Sequence, residues 1–286
     1  MKARATKHAL EGGQPAVPFL KWAGGKQWLA QLLAQQIELA GKRYFEPFLG
    51  GGSVFFALRP SSALLSDNNP ELINVYEVVR DDVEGLIQRL KKFRHTEDCY
   101  YRVRQSSPRS PISRAARFIY LNRTAWNGLY RVNRNGKFNV PMGLFAYEPD
   151  IVRAELLRRA SNALQGIRTR SVDFVRACAS VREGDVVYLD PPYTVTHNNN
   201  GFLRYNEEIF SWRDQERLAS LAKRLDTLGA TVIVSNAAHA AVEELYDGFY
   251  IEALDRASNL AADSSKRRPV SEYLISNREV FCEAEL

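Results

Sequence analysis

The sequence predicts an α/β protein: a doubly wound, largely parallel sheet with a mainly helical insertion that carries a β-hairpin. Three observations carry that prediction. A short strand at 43–48, a glycine-rich turn at Leu49-Gly50-Gly51-Gly52 and an apolar helix from Ser53 follow one another, the order of a nucleotide-binding corner in which glycine lets the backbone approach a ligand. The run Val186-Val187-Tyr188-Leu189 stops in Asp190-Pro191-Pro192-Tyr193, which reads as a buried parallel strand delivering a site at its carboxyl end. Between these two, residues 70–163 lose the strand pattern and turn helical.

At 286 residues and 45% hydrophobic content, the chain is long enough for one large α/β domain, or for one such domain carrying an inserted subdomain. Thirty-nine Lys and Arg against 33 Asp and Glu leave +6, a balance compatible with a polyanionic partner. Cys99, Cys178 and Cys282 stand far apart and odd in number, which argues against a closed disulfide framework and for reduced thiols in a cytoplasmic protein. His8, His95, His197 and His239 form no ligand pattern, so no metal site is expected. No apolar run approaches a membrane span, and residues 1–16 lack the continuous apolar segment of a signal peptide. They are expected to form a flexible tail.

Each element follows from local pattern. Phe19-Leu20-Lys21-Trp22-Ala23-Gly24-Gly25-Lys26 precedes a helix expected over 27–40. The glycine pair either turns backbone N–H groups and Lys26 toward a ligand carboxylate or marks a plain helix start. The next strand, 63–66, ends in Asp67, where an acidic side chain is placed to bind ribose hydroxyls. The glycines at 50–52 do not follow the G-x-G-x-x-G spacing, so the corner indicates an adenosine-like cofactor more than NAD. Amphipathic helices are expected at 71–93, 97–105, 112–122 and 149–163.

A hairpin is expected at 131–140, with Asn135-Gly136 as a two-residue turn. It carries Arg131, Arg134 and Lys137 and follows Trp126-Asn127-Gly128-Leu129-Tyr130, basic side chains beside exposed aromatics that suit nucleic-acid reading. The alternative is a solvated hairpin with a core tryptophan. The α/β alternation then resumes, with strands at 166–172, 186–189 and 230–235, and helices from 173, over 212–228 and over 237–246. Two last strands, 250–254 and 272–275, pair through a basic connection, 256–268, that includes Lys266. The run 194–205 reads as a mobile loop directly after the site.

Asp190-Pro191-Pro192-Tyr193 suits the gripping of an exocyclic amino group. Each proline fixes its own φ and holds the residue before it extended. The Asp190 carboxylate and Pro191 carbonyl offer two acceptors for two N–H bonds, and Tyr193 offers a stacking face. Two acceptors favour the pyramidal form of a conjugated amino nitrogen and free its lone pair for attack.

In order, the segments 19–26, 46–54 (Glu46-Pro47-Phe48-Leu49-Gly50-Gly51-Gly52-Ser53-Val54) and 190–193 closely resemble the Dam-type DNA adenine-N6 methyltransferases, over about residues 18–279. Leu121 to Arg131 and Phe138-Asn139-Val140-Pro141-Met142-Gly143 resemble that family's recognition segment. The resemblance implies a Rossmann-like class I methyltransferase sheet over 17–72 and 164–286, a target-recognition insertion over 73–163, and S-adenosylmethionine as methyl donor. It implies double-stranded DNA as partner, a cognate restriction endonuclease as a candidate companion, and a monomer in solution.

By the same resemblance, Trp22, Lys26, Phe48, Gly50, Asp67, Asp173 and Asp190 contact the cofactor. Asp190, Pro191, Pro192 and Tyr193 grip an adenine flipped out of the duplex. Lys21, Trp126, Asn127, Leu129, Arg131, Arg134, Lys137, Pro141 and Lys266 lie at the DNA: Arg131 reads a guanine of a GATC-like site, Trp126 wedges beside the flipped base, and Lys137 and Lys266 meet phosphate. Trp126 stands where GATC-reading members commonly carry tyrosine, and Tyr130 also departs from them. A cytosine-N4 methyltransferase faces the same chemical problem, and a DNA-binding relative without activity would carry an altered 190–193 motif, which is intact here. An NAD-dependent oxidoreductase would need a dinucleotide-type glycine spacing and a hydride-handling residue, and neither is found.

Overall fold

The computed structural model describes residues 17–133, 135–193, 210–257 and 269–279. The tail at 1–16, the loop at 194–205, Arg134, Lys266 and most of the 256–268 connection lie outside the described residues. A seven-stranded sheet organises the chain. Its strands are β1 (Tyr44–Glu46), β2 (Ala63–Asp67), β3 (Arg168–Ser171), β4 (Val186–Leu189), β5 (Thr231–Ala237), β6 (Tyr250–Ala257) and β7 (Pro269–Ser276). They stand in the order β3-β2-β1-β4-β5-β7-β6. β1 to β5 are mutually parallel, and β7 runs antiparallel between β5 and β6.

The helices are α1 (Gln27–Gln36), α2 (Ser53–Leu58), α3 (Pro70–Asp81), α4 (Val83–Leu90), α5 (Glu97–Gln105), α6 (Pro111–Thr124), α7 (Ala154–Leu164), α8 (Phe174–Ala177), α9 (Trp212–Thr227) and α10 (Ala240–Glu243). Strand residues alternate between two cores, as the period-two side-chain direction requires. Tyr44, Leu65, Tyr188 and Ile233 face one core with α1 to α7, while Phe45, Leu64, Val187, Leu189 and Val234 face the other with α9. Strand order reverses between β1 and β4, and the crevice at the carboxyl ends beside such a reversal is where this architecture binds ligands.

Several boundaries differ from the sequence expectation. α1 stops at Gln36 rather than Ala40, because Ile37 turns extended (φ −91°, ψ 114°) to carry the chain toward β1. The helix expected over 71–93 divides at Asp82 (φ −147°, ψ 61°), whose carboxylate accepts from the Gly85 N–H and starts α4 as a new helix. α7 begins at Ala154 instead of Pro149, after Arg153 in a left-handed conformation. The 237–246 helix contracts to α10 followed by a 3-10 turn, Glu244–Tyr246.

Among the described residues, 70–164 contribute no strand to the sheet. The expected hairpin there is reduced to two isolated bridges, Ala125 with Met142 and Val132 with Phe138. The Asn133 N–H donates to the Lys137 carbonyl, so the loop spans 134–136 instead of two residues. Asn133 itself explains the change: its side-chain oxygen accepts from the backbone N–H groups of both Asn135 and Lys137, an Asx-type closure that replaces the tight turn.

Candidate active site

β4 is buried on both faces and ends at Asp190, whose side chain opens 21% to solvent. Three elements converge on its carboxylate. The Ser235 hydroxyl of β5 donates to Asp190 Oδ1 at 2.7 Å. A hydroxyl carries one hydrogen, so at the 2.9 Å contact between Ser235 Oγ and the Tyr188 hydroxyl, Tyr188 is the donor. Lys26, which caps α1, turns its side chain inward. Its Nζ lies 3.5 Å from Asp190 and 3.0 Å from Glu272 of β7, donates to the Tyr193 hydroxyl, and sits 4.5 Å from the centre of the Tyr193 ring. Burial raises the Asp190 pKa, the Lys26 charge and the Ser235 hydrogen bond lower it, and the Glu272 carboxylate raises it again.

The glycine corner follows β1, the strand that pairs with β4 on the other side from β5. Gly50 and Gly52 are left-handed (φ +47° and +67°), and a Cβ on Gly50 would come 2.7 Å from the indole nitrogen of Trp22. Trp22 stacks on Tyr130 and Phe118, at 5.9 and 6.4 Å between ring centres. Tyr130 therefore belongs to an interior stack, not to the exposed aromatics expected near the hairpin. Trp126 is 50% exposed, which removes the core-tryptophan alternative.

Asp67, at the end of β2, accepts the Gly50 N–H at 3.1 Å and the Asn69 N–H at 2.9 Å; burial raises its pKa against these bonds. Phe48 stacks on Phe174 and meets Phe210 edge-on. Asp173 caps α8 through the Val175 N–H and is paired with Arg217 at 3.0 Å. A cavity of about 370 Å3 beside Trp22 is lined by Lys21, Gly25, Gly51, Ser53, Arg123 and Asn127, and not by Asp67 or Asp190.

The segment expected at the DNA is tied to the same corner. Buried Asn122 accepts the Lys21 N–H and donates to the carbonyls of Lys21 and Gly128. Asn127 is left-handed (φ +53°), and the Lys21 side chain crosses Gly128 so closely that no Cβ fits there. The Trp126 N–H donates to the Pro141 carbonyl at 2.9 Å. Arg131 is exposed with its Nε donating to Asn139 at 2.9 Å; Lys137 is exposed and Leu129 half-buried. Sequence reasoning missed Ser235, Glu272 and Asn122.

Residues 22–260 match the sequence model of the family described as D12 class N6 adenine-specific DNA methyltransferases. The chain belongs to that family. Its relatives include a Type II methyltransferase, M1.LlaDCHI, of Lactococcus lactis subsp. cremoris, 39% identical over 91% of this chain and 95% of that one. The Type II methyltransferase M.MjaIII of Methanocaldococcus jannaschii is 35% identical over 91% and 98% of the two chains. A DNA adenine methylase of Haemophilus influenzae is 30% identical over 95% and 97%. This D12-class enzyme is thus an adenine-specific DNA methyltransferase acting at N6, on a mostly parallel α/β sheet. Among the described residues no helix is long and apolar enough to cross a membrane, and no acidic, histidine and cysteine side chains cluster as metal ligands. Cys99 and Cys178 are free and buried; Cys282 lies outside the described residues.

Proposed function

We propose that the enzyme takes its methyl group from S-adenosylmethionine, held at the carboxyl ends of β1, β2 and β4, and delivers it to an adenine rotated out of duplex DNA. The observation that carries this reading is Asp190, an acceptor at the reversal in strand order, aimed by Ser235 and faced by Lys26. When bound, the cofactor supplies an electrophilic methyl group on a sulfonium. The corner offers chemistry for such a group: Trp22 packs directly on the turn where Gly50 has no Cβ, and each Asp67 oxygen accepts one backbone N–H and has a second lone pair to offer a ribose hydroxyl. Trp22, Lys26, Phe48, Gly50, Asp67, Asp173 and Asp190 would hold the cofactor.

Asp190 and the Pro191 carbonyl accept the two N–H bonds of the target, and the Pro191-Pro192 backbone keeps both acceptors rigid. Tyr193 presents its ring to the base. Orientation and hydrogen bonding therefore supply most of the acceleration, with no covalent intermediate on the protein. Residues 17–72 and 164–286 form the catalytic unit and 73–163 the recognition unit. Within it, Arg131 reads guanine in a GATC-like site, Trp126 wedges beside the vacated position, and Lys21, Asn127, Leu129, Pro141 and Lys137 complete the contact surface. Arg134 and Lys266, outside the described residues, are assigned to the DNA by resemblance alone. A cytoplasmic monomer is part of the same reading, and the Type II names of two relatives bring a restriction endonuclease into it as a candidate companion.

The test is labelled methyl transfer to defined duplexes with identification of the modified base. Asp190→Ala is expected to abolish turnover while calorimetry still shows cofactor and duplex binding. Near-normal turnover by that variant would overturn the role given to Asp190.

A further inference from the structure

Lys26 faces two carboxylates, although gripping an amino group calls for one. Lys26 and Glu272 are 3% and 2% exposed, and their charges meet at 3.0 Å. Removing two charges from water costs several kcal/mol per ion unless geometry returns it, so such a pair beneath a reaction site invites a functional account. The register of β5 against β7 sets Glu272 opposite Ala237 and Leu274 opposite Ser235. One strand pair thus brings Glu272 and Ser235 to the same face.

We propose that Glu272 is a positioning residue for methyl transfer: by anchoring the Lys26 ammonium, it keeps that ammonium from occupying the Asp190 oxygens that the target amino group needs. An ammonium has three donors on a flexible stem. In this site one goes to Glu272 and one to the Tyr193 hydroxyl. The remaining approach to Asp190 is 3.5 Å, at the outer limit of a hydrogen bond and short enough for strong charge attraction. Without the Glu272 charge, Lys26 moves onto Asp190, competes with substrate, and releases the Tyr193 hydroxyl. This inference rests on Asp190 being the acceptor of the target amino group.

The charged and titratable groups that face Asp190 come from every element around it. Lys26 lies at the start of α1, Tyr188 on β4, Tyr193 just beyond, and Glu272 on β7. Glu46 of β1 is carried up to about 8 by burial, against a hydrogen bond from Tyr44 and with the Asp190 charge adding to the rise. Burial holds the Tyr188 and Tyr193 hydroxyls neutral through the neutral range. Removing the Glu272 charge makes Asp190 easier to ionise; removing the Lys26 charge makes it harder.

The experiment is steady-state transfer from labelled S-adenosylmethionine to duplex, across pH, for wild type, Glu272→Gln, Glu272→Asp, Lys26→Met and Asp190→Ala. Thermal unfolding and duplex affinity are followed in parallel. Glu272→Gln is expected to lower kcat about tenfold with little change in duplex affinity and to move the acid limb of kcat to lower pH. Lys26→Met moves that limb to higher pH, and Glu272→Asp recovers part of kcat. Glu272→Gln with a kcat within about twofold of wild type and an unmoved limb overturns the proposal. So does a loss in both variants without opposite displacement of the limb, the mark of a structural role. If Glu272→Gln does not fold, Lys26→Met decides alone, and a limb that stays or falls overturns it. Retained turnover in Asp190→Ala is a separate outcome, which removes the reading of the site itself.

Discussion

The Ser235 hydroxyl donates to Asp190 Oδ1 at 2.7 Å and is itself held by the Tyr188 hydroxyl. A neighbouring strand therefore sets the orientation of the carboxylate at the end of β4. Hydrogen bonds to charged groups contribute roughly 1.5–3 kcal/mol. Ser235→Ala is expected to reduce kcat by about 10- to 100-fold and leave duplex affinity near wild type. Single-turnover methyl transfer beside a duplex-binding titration checks both halves.

Arg131 and Lys137 are expected to separate specificity from affinity. A bidentate arginine contact to guanine discriminates by about 1–3 kcal/mol, and the Arg131 Nε bond to Asn139 fixes the guanidinium plane for it. Arg131→Ala narrows the gap in kcat/KM between cognate duplexes and ones altered at the guanine. Lys137→Ala weakens all duplexes alike and reduces the salt slope. Measuring the cognate-to-altered ratio at fixed ionic strength decides; equal loss on every duplex would make Arg131 a backbone contact.

Gly50→Ala should act on the cofactor. At φ +47° an L side chain costs about 1–2 kcal/mol, and its Cβ would lie 2.7 Å from the Trp22 indole. Calorimetry is expected to show S-adenosylmethionine binding weakened in this variant, while duplex binding, measured in parallel, stays near wild type.

Glu46 predicts a pH dependence of stability. Burial lifts its pKa from 4.5 to about 8 in the fold, so the folded state favours the protonated form. That contribution is fully present below pH 4.5 and is lost as pH rises through about 8. Glu46→Gln cannot titrate and should flatten the decline, gaining stability relative to wild type at pH 8.5 by on the order of 3–5 kcal/mol at most. Urea unfolding at pH 5 and 8.5 for both proteins tests this. A difference that does not change with pH would place the proton elsewhere.

The parts of the site that were legible in the sequence are those fixed by short-range chemistry. β4 occupies 186–189, as its apolar, β-branched run requires, and the prolines after it stop the strand where the carboxylate stands. Trp126 is exposed because Ala125 is extended and Asn127 left-handed, a turn that throws the indole outward. The partners of Lys26 were not legible, because its pairing with Glu272 spans 246 positions and depends on where β7 enters the sheet. A signal existed: in Ser271–Ser276 the period of two puts Glu272 on the face of Leu274, both buried. An acidic residue in register with a core leucine marks a buried, partnered charge. The antiparallel pairing of 131–133 with 137–139 follows the Asn135-Gly136 signal, but the loop length does not, because the Asn133 side chain accepts from the Asn135 and Lys137 N–H groups.

The entry of β7 between β5 and β6 has a consequence for the order in which the enzyme becomes competent. Pairings between distant parts of a chain form late, since the entropy of closing the loop precedes any return. A chain emerging from the ribosome completes the strand before Asp190 and the helix after Lys26 well before residues 269–276 exist. Until those residues arrive, one edge of β5 lacks its neighbour and the Lys26 ammonium lacks its anchor.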